Sequence, residues 1–266
     1  MSTPQLAQPP LAAVAPEVAL LGPQTAGTLW RNIMRMYRSH FGILMACSVL
    51  PIAPFLLPIV WLASSDSGWV ALAMLPYMVA AFISSGAMTI AISDICLGNR
   101  PTAKHAFQRV LGKRLWVNML GTGLLLGLMV WVGMLALLLP GVWVMARGFL
   151  SLIVVTLEGR GAKDAIRRSF ALTKGQAWRI IGLTGLPLLL AYIVMLLSVV
   201  AFSIVGALTF GGESTVLGVL IALLSYGLAL ALFTPVMGIT MVLLYYDQRV
   251  RREAYDVQAL AEDLMR

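Results

Sequence analysis

The chain has 266 residues, of which 60% are hydrophobic and only 11% charged, with a mean hydropathy of +0.89. A soluble domain is nearer half apolar and a quarter charged, so these figures exclude an ordinary soluble enzyme and select a membrane protein. The net charge of +8 does not point to nucleic acid, because the cations stand in short blocks between long apolar runs, as orientation in a bilayer requires.

Residues 1–26 contain no Lys or Arg and are rich in Pro, Ala and Gln. They have no basic n-region of a signal peptide and read as a disordered cytoplasmic tail. A spanning helix needs about 20 apolar residues. Six stretches answer to that: 41–63, 69–93, 115–139, 142–157, 180–208 and 216–246. The fourth is short, about 24 Å at 1.5 Å per residue, and reads as a compressed span or a re-entrant segment. Pro51, Pro54, Pro58, Pro76, Pro187 and Pro235 fall inside the spans and predict kinks. Gly123 and Gly127 have GxxxG spacing and predict a close-packing face within the monomer. Pro140-Gly141 reads as the outer turn between the third and fourth spans. Cys47 and Cys96 read as small packing residues.

With the N-terminus inside, the inner segments are 1–40, 94–114, 158–179 and 247–266. Of the nineteen Lys and Arg, every one but Arg147 falls in these segments, and the outer loops carry only Asp66 and Glu213. Positive charge on short loops resists translocation, so both termini are expected in the cytoplasm. The fold class expected is all-α, a polytopic membrane bundle of six transmembrane helices with basic interfacial helices on the cytoplasmic side. The chain divides into the tail 1–26, a membrane domain 27–246 and a cytoplasmic helix 247–266. That last helix is supported by the opposite-charge i,i+4 pairs Asp247–Arg251, Arg249–Glu253 and Arg252–Asp256.

Three inner segments, 27–40, 101–116 and 162–178, mix basic and apolar residues at helical spacing, and each runs into a span. In the third, Ala165, Ile166, Phe170 and Ala177 share an apolar side while Lys163, Arg167 and Lys174 stay wet, the pattern of a helix lying in the interface. Trp116 through Leu124 parallels Trp178 through Leu186, each with Trp at the start and Thr-Gly early in the span. The simplest account is three parallel copies of one unit: interfacial helix, span out, span back.

The run Leu157–Arg179, with Ala165, Arg167, Arg168, Ser169, Phe170, Leu172, Thr173 and Lys174 in it, and the ending Leu243–Asp256 with Tyr245, Tyr246, Asp247, Arg249 and Arg251, resemble hallmark segments of the glycerophosphoryl diester phosphodiesterase membrane-domain family. The resemblance covers about residues 27–260. It implies a bacterial protein of the cytoplasmic (inner) membrane that lacks the catalytic barrel carried by the members that named the family. It does not imply phosphodiesterase activity.

That chemistry needs histidine acid–base groups and metal-holding carboxylates. The chain has two histidines, His40 and His105, neither at ligand spacing from another His, Cys or carboxylate. No catalytic, metal or cofactor site is expected. Arg147 is the one intramembrane cation, about 9 Å below the outer turn. Two readings stand for it: outward snorkelling or structural pairing, and contact with a lipid phosphate or substrate. Lys113, Arg114, Arg167 and Arg168 are the other candidate lipid contacts, with the setting of topology as the alternative. Asn118 and Thr184 read as packing hydrogen bonds. The function expected is that of a non-enzymatic protein whose partners are membrane lipids, not nucleic acid. The alternative is a small transporter or a membrane subunit of a transport or export complex.

Overall fold

The computed structural model describes residues 25–55, 58, 70–112, 115–210 and 215–253. The tail through residue 24, the end of the first expected span, Asp66, Glu213, Lys113, Arg114 and the C-terminal stretch from 254 lie outside them. Among the described residues, ten helices of eight residues or more run in chain order: α1 Ala26–Ser39, α2 Phe41–Val49, α3 Val70–Cys96, α4 Ala103–Gly112, α5 Leu115–Ala136, α6 Leu138–Gly148, α7 Ser151–Glu158, α8 Ala162–Leu172, α9 Ala177–Phe210 and α10 Thr215–Glu253. The described residues form an all-α structure, with no strand. Among them, four helical stretches are long and apolar enough to cross a membrane: Met74–Cys96, Leu115–Ala136, Leu138–Glu158 and Ala177–Ala201.

The three basic inner segments form α1, α4 and α8. In α1, Thr25 caps the helix, its Oγ1 accepting from the Thr28 N–H at 3.4 Å. Leu29, Ile33 and Met36 are buried on one side of α1, while Arg31, Arg35 and Arg38 are exposed on the other. In α4, Ala106 and Val110 are buried and Lys104 is exposed; in α8, Ala165 and Ile166 are buried and Lys163 and Arg167 exposed. Lys174, just past α8, is exposed too. The periodicity read from the sequence therefore corresponds to faces that pack on the bundle.

The first expected span stops being regular at Val49. Leu50 caps α2, and a turn at Pro51 separates it from further helical residues at 53–55. Proline lacks the N–H that would continue the ladder. In contrast, α3, α9 and α10 run through Pro76, Pro187 and Pro235. Pro235 cannot donate to the carbonyl of Ala231, and the Ser48 hydroxyl donates to that carbonyl at 3.5 Å instead. The next carbonyl, Leu232, accepts from Tyr37 Oη at 3.1 Å. At the proline a hydroxyl of α2 thus supplies the donor that proline lacks, and Tyr37 adds a bond from α1 beside it.

Two sequence expectations are corrected. Pro140-Gly141 is not the turn. Leu137 is the extended residue that joins α5 to α6, and Pro140 stands in the first turn of α6, where a missing N–H costs nothing. The helical stretch Leu138–Glu158 is then 21 residues long, about 31 Å, enough for the hydrocarbon core. It bends at Phe149–Leu150, between α6 and α7. The close-packing glycines also differ from the expected pair. Gly123 lies under the Phe82 ring, but nothing stands within 4 Å of where a Gly127 side chain would be. The tight contact is Gly133 against Gly141, where a Cβ on Gly133 would lie 2.9 Å from the Gly141 Cα.

The core lies where α2, α3, α7 and α10 meet, with Leu44, Cys47, Met88, Ile92, Val154, Leu243, Tyr245 and Tyr246 fully or almost fully buried. Outward, α5, α6 and α9 expose Leu128, Trp131, Leu135, Leu139, Leu189 and Leu197. Such a continuous apolar exterior fits hydrocarbon as the surrounding solvent rather than water.

Candidate functional site

The C-terminal ends of α7 and α10 converge with α8 on an ionic network. Helix α7 ends at Glu158 because Gly159 takes φ +66°, the left-handed conformation of a helix C-cap. Glu158 Oε2 accepts from Arg160 Nε at 2.5 Å, and its Oε1 accepts from Arg168 Nε at 3.2 Å and from Tyr245 Oη at 2.9 Å. Arg168 also reaches Glu253 through Nη2. Glu253 in turn accepts from Arg249 Nε at 3.1 Å. Burial opposes the charge of Arg168, but Glu158 and Glu253 outweigh it and raise the guanidinium pKa above its ordinary value. Of the adjacent candidates, Arg168 is therefore turned inward onto two carboxylates, while Arg167 is exposed.

One turn away, Asp247 is almost wholly buried and takes Arg179 Nη1 at 2.6 Å and Arg251 Nε at 2.9 Å. Two of the expected i,i+4 pairs, Asp247–Arg251 and Arg249–Glu253, are present; the third involves Asp256, outside the described residues. The same end of α10 is bound to α3 through Ser93 Oγ and Tyr246 Oη at 2.8 Å. His105, which has no ligand-spaced neighbour in sequence, is brought by the fold to Asp94, with Nδ1 3.5 Å from Oδ2. No group of three or more His, Cys, Asp or Glu suited to a metal occurs among the described residues.

Arg147 lies among the last residues of α6, whose carbonyls have no intrahelical donor. Its own carbonyl accepts from Ser169 Oγ at 2.6 Å and Thr173 Oγ1 at 3.2 Å. Its Nη2 donates to the carbonyl of Phe170 at 2.7 Å, one of the last four carbonyls of α8. The guanidinium carbon stands 4.5 Å from the Trp143 ring centroid and 5.0 Å from that of Phe170, within cation–π range. The cation thus caps the C-terminal, electronegative end of α8, and structural pairing describes its geometry. The partners lie 22–26 residues away in the chain, so depth counted from the sequence did not find them. Arg147→Met is expected to make α8 open about tenfold more often, the loss of about 1.5 kcal/mol from a charge-assisted bond. Amide exchange across 162–172 measures this; unchanged protection there would reject the capping role.

A chamber of about 350 Å³ lies between α2, α3, the α6–α7 bend and α10. Ser48, Tyr77, Ser84, Thr89, Met88 and Met237 are among its walls, and no charged side chain is among the described residues that line it. Ser84 Oγ already donates to the Cys47 carbonyl at 2.8 Å, and Thr89 Oγ1 to that of Ser85 at 2.9 Å. Thr184, as expected of a packing hydroxyl, donates to the Ile180 carbonyl at 2.7 Å; the Asn118 carbonyl accepts from Thr122 Oγ1 at the same distance. A second cavity, a cleft of about 360 Å³, opens between α1 and α9 and includes Trp30 and Arg179. Neither residue stood out in the sequence, where Arg179 was one inner cation among many.

No protein-family model, curated protein or solved structure matches this chain.

Proposed function

We propose that this chain is a non-enzymatic, six-span protein of a bacterial inner membrane that binds anionic lipid headgroups along its cytoplasmic side and so helps organise the membrane. The observation that carries the reading is the construction of α1, α4 and α8. Each buries apolar residues against the bundle and holds cations outward, among them Arg31, Arg35, Lys104, Lys163 and Arg167. Cations so placed attract anionic leaflets by about 1 kcal/mol each. The four apolar helical stretches, with the region 41–63 and α10, make up the six crossings. The order amphipathic helix then apolar helices, met at α1, α4 and α8, supports three copies of one unit and the proposed kinship with the phosphodiesterase membrane-domain family. Both termini are placed in the cytoplasm by the confinement of Lys and Arg to the inner segments. Membrane lipids are the proposed partners.

Transport of a polar solute is the rival reading. It calls for discontinuous helices around polar, ion-binding groups near the midplane. The chamber at the α6–α7 bend has no charged group among its described lining residues, and its Ser84 and Thr89 hydroxyls are already donating to backbone carbonyls. That favours the lipid reading.

The test is lipid co-purification with mass spectrometry on the full chain and on a Lys163→Gln, Arg167→Gln variant. Two lost cations at about 1 kcal/mol each should lower the ratio of phosphatidylglycerol to phosphatidylethanolamine retained by more than tenfold at subsaturating lipid. An unchanged ratio would reject headgroup binding through α8.

A further inference from the structure

We infer that the cleft between α1 and α9 is a site for one anionic phospholipid, with its phosphate against Arg179 and Trp30 and an acyl chain lying over Gly182 toward Leu186. The inference deepens the proposed lipid-binding role and rests on it, but names a built site in place of a diffuse belt. The cleft measures about 360 Å³, inside the range of small-molecule sites, roughly 300–1,000 Å³. One wall is Leu29, Trp30 and Ile33 of α1. The other is the start of α9, where Arg179 is followed a turn later by Gly182, Leu183 and Leu186.

The two ends of the cleft differ in chemistry. At one end Arg179 is held by Asp247 at 2.6 Å. The Asp247 side chain is 2% exposed and that of Arg179 26%, so the carboxylate sits behind the guanidinium and orients it. Asp247 is shared with Arg251 at 2.9 Å. A pre-oriented guanidinium matches the geometry of a phosphodiester. Trp30 beside it, and the exposed Trp178 one residue before it, are the side chains that settle at headgroup depth. The rest of the lining, Leu29, Ile33, Gly182, Leu183 and Leu186, carries no polar side chain. A ligand anionic at one end and hydrocarbon at the other complements both.

Gly182, on the α9 wall of the cleft, is exposed, and a side chain there would meet nothing within 4 Å. The missing side chain leaves room for a hydrocarbon chain beside Leu183 and Leu186.

The experiment is native mass spectrometry of the full chain in mixed micelles of detergent with either phosphatidylglycerol or phosphatidylcholine. Wild type is expected to retain one phosphatidylglycerol at a lipid level where phosphatidylcholine is at least tenfold less retained. Gly182→Phe puts a ring in open space, so the fold is kept, and should abolish the tightly held copy. Independently of any variant, phosphatidylglycerol with a photoreactive acyl chain should label peptides within 26–39 and 177–190 of the wild type. Equal retention of the two lipids, full retention by Gly182→Phe, or labelling confined to the exposed faces of α5 and α6 overturns the site. The two levels of the reading separate cleanly. If Lys163→Gln, Arg167→Gln loses only weakly held lipids and Gly182→Phe loses nothing, the headgroup belt stands and the cleft falls. If Gly182→Phe loses the single tight lipid while the belt variant is unchanged, the cleft stands and the belt falls.

Discussion

Replacing Glu158 by glutamine is expected to destabilise the end of the bundle where α7, α8 and α10 meet by about 2–3 kcal/mol. The side chain is 10% exposed and serves Arg160, Arg168 and Tyr245 at once. Removing one partner of a buried ion pair costs about 3–5 kcal/mol, because the other charge is left in a poor solvent. Arg168 is 21% exposed and keeps Glu253, which trims that cost. Arg160 is half exposed and contributes little, as surface pairs do. Thermal unfolding in detergent, read together with amide exchange over 162–172 and 243–253, measures the effect. The pair Glu158→Gln, Arg168→Met should be more stable than Glu158→Gln alone, because the stranded cation is gone and the two sites are in contact. An unchanged unfolding temperature in the single variant, or further loss in the double, would show that the network does not hold α8 and α10 to α7.

The second large effect is expected at the turn between α5 and α6. Gly141→Val should cost about 3 kcal/mol and loosen that hairpin. A Cβ on Gly141 would meet the backbone nitrogen of Met134 at 2.7 Å as well as its side chain. Backbone cannot swing aside as a side chain does, so the two helices must separate, and overpacking of this kind costs about 1–3 kcal/mol or more. The matched control is Gly127→Ala on α5, the partner helix of that hairpin, which meets nothing within 4 Å and should gain about 0.5–1 kcal/mol from helix propensity alone. Unfolding temperature in detergent for both variants decides the matter. A neutral Gly141→Val would mean that α5 and α6 do not approach as closely as the structure has them.

These two cases mark where sequence reasoning reached and where it stopped. The amphipathic segments 27–40, 101–116 and 162–178 contain α1, α4 and α8, because helical periodicity is written within one turn of chain; α8 ends at Leu172, six residues short of the expected end, and Ala177 begins α9 instead. The i,i+4 pairs on α10 were legible for the same reason. The turn was misplaced at Pro140-Gly141 because Pro-Gly punctuates turns and also suits a helix start. Only the partner helix shows that Gly141 is there for close approach. Arg147 was recognised as exceptional from its place in an apolar run, yet its contacts, Phe170, Ser169 and Thr173, come from the next inner helix. Arg168 and Arg167 look alike in the sequence; one faces Glu158 and Glu253, the other faces outward.

The amino-acid sequence by itself determined that this chain is helical, apolar enough for a membrane, and basic in short blocks between apolar runs, because those properties depend on composition and on neighbours within a few residues. Which cations are neutralised, which glycines lie under a neighbour and where cavities remain were decided only by tertiary structure. Charges and close contacts depend on separation in space, and Tyr245 meets Glu158 across 87 residues of chain.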